Sequence, residues 1–192
     1  MIEYEKKILL TENEYQVLKM TVCKNCREVT QTNYYFDTAD FLMNKKGITC
    51  RIRAKNGKFT AEVKNHNIFE KDGSNEEKLF EGSEFCSEIF THFGLFNQGS
   101  LITQRTTRQK GSEYKIVLDR NTYLGKTDYE LEIEYFEGFE KEALQALENI
   151  AKTLFTARTI EDRKEFFKRA DKSKSKAERF FEEKIDKLEE VE

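Results

Sequence analysis

Residues 48–64 read ITCRIRAKNGKFTAEVK, and this stretch decides the fold. Ile48, Cys50, Ile52 and Ala54 alternate with Thr49, Arg51, Arg53 and Lys55. A period of two is the mark of a β-strand with two different faces. Asn56-Gly57 follows at once, the strongest short-range signal for a hairpin. The return strand sets Phe59, Ala61 and Val63 on one face and Thr60, Glu62 and Lys64 on the other. The result is an antiparallel hairpin with one apolar face and one charged face.

The same alternation recurs on both sides of this hairpin. Residues 2–9 set Ile2, Tyr4, Lys6 and Ile8 against Glu3, Glu5 and Lys7. Further strands are expected at 32–36, 78–81, 101–108, 113–119 and 128–136, which makes eight. Thr11 and Glu14 have the spacing of a capping box and predict a helix to about residue 21. A short turn or helix is expected around Phe41 and Leu42, and a helix over 83–93, ended by Gly94. Ala143, Leu147, Ile150, Ala151 and Leu154 recur at helical spacing and predict a helix over 139–154. Residues 65–75 read as a loop. The last 35 residues are charged and helical in pattern, with Phe166, Phe167, Phe180, Phe181, Ile185 and Leu188 as apolar contacts. No internal repeat or composition break marks a second domain, so one domain spans 1–192, with the charged helical segment from about 157.

Composition bounds the function. The chain has 192 residues, long enough for a sizeable core, and 16 Phe and 8 Tyr help to fill it. Charged residues make up 36%, against roughly 25% in an average globular protein. Lys plus Arg total 33 and Asp plus Glu total 36. That balance lacks the basic excess of a nucleic-acid binder. No stretch is long and apolar enough for a membrane helix, and the first residues lack the pattern of a secretory signal. The expected placement is cytoplasmic. Cys23 and Cys26 form a C-x-x-C, but without a second ligand pair or a β-α-β context. They are expected to be plain reduced thiols, as are Cys50 and Cys86. His66 and His92 each stand alone and read as structural or surface residues.

The charged faces carry the chemistry. Glu3, Glu5 and Lys7 form one row, Arg51 and Arg53 a second, Glu62 and Lys64 a third, and Glu130, Glu132 and Glu134 a fourth. Such rows fit two arrangements. One is a solvated sheet face with helices packed on the apolar side. The other is a closed barrel with the rows pointing inward. A charged bore suits a polyphosphate with a divalent metal. Guanidinium forks match phosphate oxygens, and glutamate oxygens suit Mg²⁺ or Mn²⁺.

Several short motifs, in order, resemble the CYTH superfamily, also called triphosphate tunnel metalloenzymes. Glu3-Tyr4-Glu5-Lys6-Lys7 is similar to its E-x-E-x-K signature, and Asn33-Tyr34-Tyr35-Phe36-Asp37-Thr38 to its second-strand motif. Arg51-Ile52-Arg53 resembles its R-x-R, Glu62-Val63-Lys64 its lysine motif, and Lys174-Ser175-Lys176 with Arg179 its C-terminal basic motif. Leu118-Asp119-Arg120-Asn121 and Asp128-Tyr129-Glu130-Leu131-Glu132-Ile133-Glu134 are similar to a bacterial YjbK-like branch.

The resemblance implies a mainly β fold, an eight-stranded antiparallel tunnel barrel with helices packed outside. It implies metal-dependent hydrolysis of a triphosphate, with inorganic tripolyphosphate first and thiamine triphosphate or a nucleoside triphosphate as alternatives. Non-catalytic binding and cyclisation of ATP to cyclic AMP are further alternatives. Carried over, Glu3, Glu5, Glu132 and Glu134 are metal ligands for Mg²⁺ or Mn²⁺. Lys7, Arg51, Arg53, Lys64, Arg105, Lys176 and Arg179 bind substrate, with Lys7, Glu5 and Arg53 assigned to catalysis. Glu62, Lys115, Asp119 and Glu130 line the tunnel. Arg105 is preferred over Arg108, which has the opposite parity. The charged C-terminal segment fits a homodimer surface, a lid, or a plain solvated helix. No nucleic-acid or membrane partner is expected.

Overall fold

The hairpin at 48–64 forms as its pattern dictates. In the computed structural model, which describes residues 3–66, 75–155, 160–170 and 174–190, strand β3 (Ile48–Lys55) pairs antiparallel with β4 (Lys58–Asn65). Asn56 (φ 52°) and Gly57 (φ 75°) make the turn. Two consecutive positive φ values give the type I′ turn that matches strand twist. The other strands are β1 (Glu3–Leu10), β2 (Glu28–Asp37), β5 (Asn75–Gly82), β6 (Phe96–Lys110), β7 (Tyr114–Tyr123) and β8 (Lys126–Phe136). The helices are α1 (Glu12–Met20), α2 (Leu42–Lys45), α3 (Glu88–Thr91), α4 (Glu140–Leu154), α5 (Ile160–Ala170) and α6 (Lys176–Glu189).

The eight strands form one antiparallel sheet in the order β1-β8-β7-β6-β2-β3-β4-β5. The order has two ends, β1 and β5, with no ladder between them among the described residues. This order bears out the expected eight-stranded antiparallel sheet and does not itself show its closure into a barrel. Alternation tells which face a side chain takes and is silent on whether terminal strands meet. Other expectations shift. β2 starts at Glu28 rather than 32, β5 extends over Asn75–Gly82, and β6 starts at Phe96 rather than 101. The helix expected over 83–93 is confined to Glu88–Thr91. The expected loop at 65–75 falls mostly, and Ile2 wholly, outside the described residues.

The chain divides into two compact units. The first comprises Met1–Glu28, Gln104–Asn121 and Thr127–Ser173. Its core takes Ile8, Leu10, Ile116, Leu118, Leu131 and Ile133 from one face of the strands. Tyr15 and Leu18 of α1, Leu147 and Ile150 of α4, and Phe166 of α5 cover that face. Thr11 caps α1 through the expected box: its hydroxyl accepts from Glu14 N–H, and the Glu14 carboxylate accepts from Thr11 N–H. Residues 160–170, which carry no recognisable motif, are tied down by Phe166 and by Arg169. The Arg169 guanidinium donates to both Glu14 carboxylate oxygens (2.7 and 2.9 Å) and to the Leu9 carbonyl (2.9 Å).

The second unit comprises Val29–Thr103, Thr122–Lys126 and Lys174–Glu192. Apolar clusters lie on both faces of its sheet. Phe36, Cys50, Ile52, Ala61, Phe90 and Leu95 form one cluster. Tyr35, Leu101, Tyr123, Phe180 and Phe181 form another, closed by α6. A Ser175–Glu178 capping box starts α6. Adjacent residues Tyr35 and Phe36 thus serve different cores, as strand alternation requires.

Candidate functional site

In the first unit the β1–β8 register sets Glu5 opposite Glu134 and Lys7 opposite Glu132. Directly opposed residues share a face, so the acidic row of β8 and the mixed row of β1 meet. They are not a wet face: Asp119 and Glu130 are 0% exposed and Glu132 is 4% exposed. Burying carboxylates requires counter-charge. Arg105 supplies most of it. Its guanidinium takes Asp119 in a two-pronged grip (2.9 and 2.7 Å) and reaches Glu132 at 2.7 Å and Glu134 at 3.4 Å. Lys115 pairs with Glu134. Lys7 bonds Glu5 at 2.9 Å and lies 3.9 Å from Glu130.

The electrostatics follow from this packing. Burial works against the Arg105 charge, but Glu132, Asp119 and Glu134 overcome it and hold the guanidinium protonated. Burial and then the neighbouring Glu132 charge raise the Glu134 carboxyl above its ordinary value, against the pull of Arg105 and Lys115. Among the described residues, five carboxylates (Glu5, Asp119, Glu130, Glu132, Glu134) gather here with the cations Lys7, Arg105 and Lys115. Glu5, Glu132 and Glu134 each offer one oxygen, all within 4.8 Å of one another. An all-oxygen carboxylate trio fits a hard divalent cation such as Mg²⁺ or Mn²⁺. The Glu3 side chain, expected beside them, lies outside the described residues, though its backbone pairs with Phe136.

The second unit carries the basic rows. Arg51 Nε donates to Glu62 (2.7 Å) and its Nη2 to Glu76 (2.8 Å). Arg53 Nε donates to Asn33 Oδ1 at 3.1 Å, and its Nη2 lies 3.6 Å from Glu62. Glu62 therefore sits between the two arginines and orients them. Lys64 stands opposite Thr49 on β3 and Glu76 on β5. Arg179 is buried on α6 and donates to the Lys174 carbonyl at 2.6 Å. Lys176 is the first residue of that helix. The positive charges of Arg51, Lys176, Arg53 and Arg179 all act on the buried Tyr35 hydroxyl.

The structure thus sorts the expected residues into two sets. Lys7 and Arg105, expected as substrate ligands, stand among the carboxylates of the first unit, with Glu5, Lys115, Asp119, Glu130, Glu132 and Glu134. Arg51, Arg53, Glu62, Lys64, Lys176 and Arg179 belong to the second. Arg108 turns away and bonds the Val22 carbonyl. Asn33, Tyr35 and Glu76 belong to the basic set and were missed as site residues. Asn33 and Tyr35 share strand parity and stand opposite Arg53 and Arg51, but a pattern of one strand does not tell which strand pairs with it.

The remaining reactive types are occupied elsewhere. His66 bonds the Thr49 hydroxyl (3.2 Å) and His92 the Glu88 carbonyl of its own helix (2.9 Å). All four cysteines are free, and burial pushes the Cys23 and Cys50 thiols up to about 11. They hold their protons at neutral pH and are poor nucleophiles. No helix among the described residues is long and apolar enough to cross a membrane.

The CYTH domain family model matches residues 1–181. A Bacillus subtilis (strain 168) protein named "Putative triphosphatase YjbK" is 30% identical over 151 residues, spanning 69% of this chain and 77% of that protein. A Bacillus halodurans crystal structure described as a "putative adenylate cyclase" superposes with a TM-score of 0.67 at 24% identity, over 94% of this chain and 97% of the other. Hippeastrum HpAC1, described as having a dominant triphosphatase activity, superposes with a TM-score of 0.59 at 20% identity, over 80% and 87% of the two chains.

Proposed function

Because this chain belongs to the CYTH domain family, and because it carries a convergent carboxylate trio besides its arginine rows, we propose that it is a metal-dependent triphosphatase, with inorganic tripolyphosphate as its leading substrate. The observation that carries the reading is the trio Glu5, Glu132 and Glu134, whose oxygens lie within 4.8 Å of one another. These residues would hold Mg²⁺ or Mn²⁺. A divalent ion bound there supplies charge neutralisation at phosphate oxygens and a lowered pKa for bound water.

The protein's own residues do the rest. Arg105 and Lys115 hold Glu132 and Glu134 in place and limit their mutual repulsion. Lys7 does the same for Glu5. The guanidinium planes of Arg51 and Arg53, fixed by Glu62, Glu76 and Asn33, offer donors matched to phosphate oxygens. Lys64, Lys176 and Arg179 add positive charge to the same set. Phosphoryl transfer asks a protein mainly for positioning and electrostatic stabilisation, so no Ser, Cys or His nucleophile is needed. Tripolyphosphate leads because charged side chains dominate the set.

The test is phosphate release from tripolyphosphate, thiamine triphosphate and ATP with Mg²⁺ or Mn²⁺. Turnover should vanish with EDTA and fall at least about a hundredfold in Glu5→Ala and Arg53→Ala. Tight tripolyphosphate binding without turnover reassigns the chain as a binding module. Cyclic AMP from ATP reassigns it as a cyclase. Neither binding nor turnover of any triphosphate rejects the reading.

A further inference from the structure

Tyr35 lies at 0% exposure, and its hydroxyl has no hydrogen-bond partner among the described residues. Buried hydroxyls are nearly always paired, because water gives up the bond and nothing else replaces it. An exception at a charged site calls for an explanation. The surroundings supply one. On β2 and β3, Tyr35 stands opposite Arg51 and Asn33 opposite Arg53, so both arginines and the tyrosine share a sheet face. Phe180 and Phe181 of α6 hold the Tyr35 ring at centroid distances of 4.9 and 5.9 Å. The same helix carries Lys176 and Arg179.

We propose that the Tyr35 hydroxyl is a substrate-binding donor, which hydrogen-bonds an oxygen of the triphosphate held by Arg51 and Arg53. The proposal rests on the triphosphatase reading and adds to it a neutral ligand in the basic set. The donor inventory points to the ligand class. Arginine and lysine only donate, so cations around a phenol cannot take its proton. A tetrahedral oxyanion presents several acceptors at once and serves both the cations and the hydroxyl. Burial raises the Tyr35 hydroxyl above its ordinary value, against the pull of Arg51, Lys176, Arg53 and Arg179, so it stays protonated and able to donate. The stacked ring has little rotamer freedom, so the hydroxyl is held in place before a ligand arrives.

The test is Tyr35→Phe, which removes one oxygen and keeps the ring against Phe180. Calorimetry with tripolyphosphate in EDTA reads binding, and steady-state assays with Mg²⁺ read KM. The expected result is a tenfold or greater rise in Kd and KM, in the range of a lost hydrogen bond to a charged group. The thermal midpoint of the free protein should hold or rise, because an unpaired buried hydroxyl is removed. Arg53→Ala runs alongside as a control. If Arg53→Ala weakens binding and Tyr35→Phe stays within twofold of wild type, the role of Tyr35 is overturned and the triphosphatase reading stands. A fall in the thermal midpoint of Tyr35→Phe assigns the hydroxyl to the fold and also overturns it. A wild-type chain that binds no triphosphate overturns both readings.

Discussion

Replacing Arg105 by Met should destabilise the metal-free protein severely, and a divalent cation should recover much of the loss. Arg105 makes four charge-assisted contacts, two to Asp119 and one each to Glu132 and Glu134. Asp119 is 0% and Glu132 4% exposed, so water cannot replace the guanidinium. Removing one partner from a buried ion network costs about 3–5 kcal/mol, because the remaining charge is left uncompensated. For a chain of this size each kcal/mol moves the thermal midpoint by roughly 2–4 °C, which gives a fall of about 6–20 °C. Lowering the pH should soften the effect. Burial and Glu132 already raise the Glu134 carboxyl and Arg105 pulls it down, so without Arg105 it rises further; the folded variant then binds more protons than the unfolded chain and regains stability as pH falls through that raised value. Adding Mg²⁺ or Mn²⁺ should raise the variant's midpoint more than that of the wild type, since the ion supplies the missing positive charge. Calorimetric scans at two pH values, with and without metal, measure all of this. A variant within about 1 kcal/mol of wild type in EDTA would refute the claim that Arg105 neutralises the acidic cluster.

Two further outcomes are expected. Burial pushes the Glu14 carboxyl up, but the Arg169 hydrogen bonds and the Thr11 N–H outweigh it, so its folded value lies below the ordinary 4.5. A depressed carboxylate contributes stability above about pH 4.5 that is lost as pH falls through the folded value. Glu14→Gln should therefore be less stable than wild type at pH 7, and the gap should close below pH 4.5, as read by denaturant titration across pH. Phe180 is fully buried against Tyr35 and Tyr123, so Phe180→Ala should cost about 3–5 kcal/mol and weaken tripolyphosphate binding through loss of support for the Tyr35 ring.

The β-strands and their faces were legible because the information is local. Period-two alternation at 48–55 and 128–136, the Asn56-Gly57 turn and the Thr11–Glu14 box each involve a few neighbouring residues, and each appears where its chemistry requires. Boundaries were read less well. The start of β6 at Phe96 has no clean alternation, and Phe96 and Asn97 are exposed. The cover on the charged face of β2 and β3 was also missed. Phe180 and Phe181 were recognised as apolar contacts, but nothing in a helix pattern says which sheet face it meets.

By itself the sequence determined which residue types line each strand face, and hence that acidic and basic rows exist and which motifs they spell. Only the tertiary structure decided which of those charges meet. Arg105 finds Asp119, Glu132 and Glu134 across 14, 27 and 29 positions of chain, and Arg53 finds Asn33 across 20. The physical reason is degeneracy. Any Arg is attracted to any carboxylate, and 33 basic and 36 acidic residues allow a great many pairings of similar energy. Strand order, register and burial select among them, and those arise from packing the whole chain.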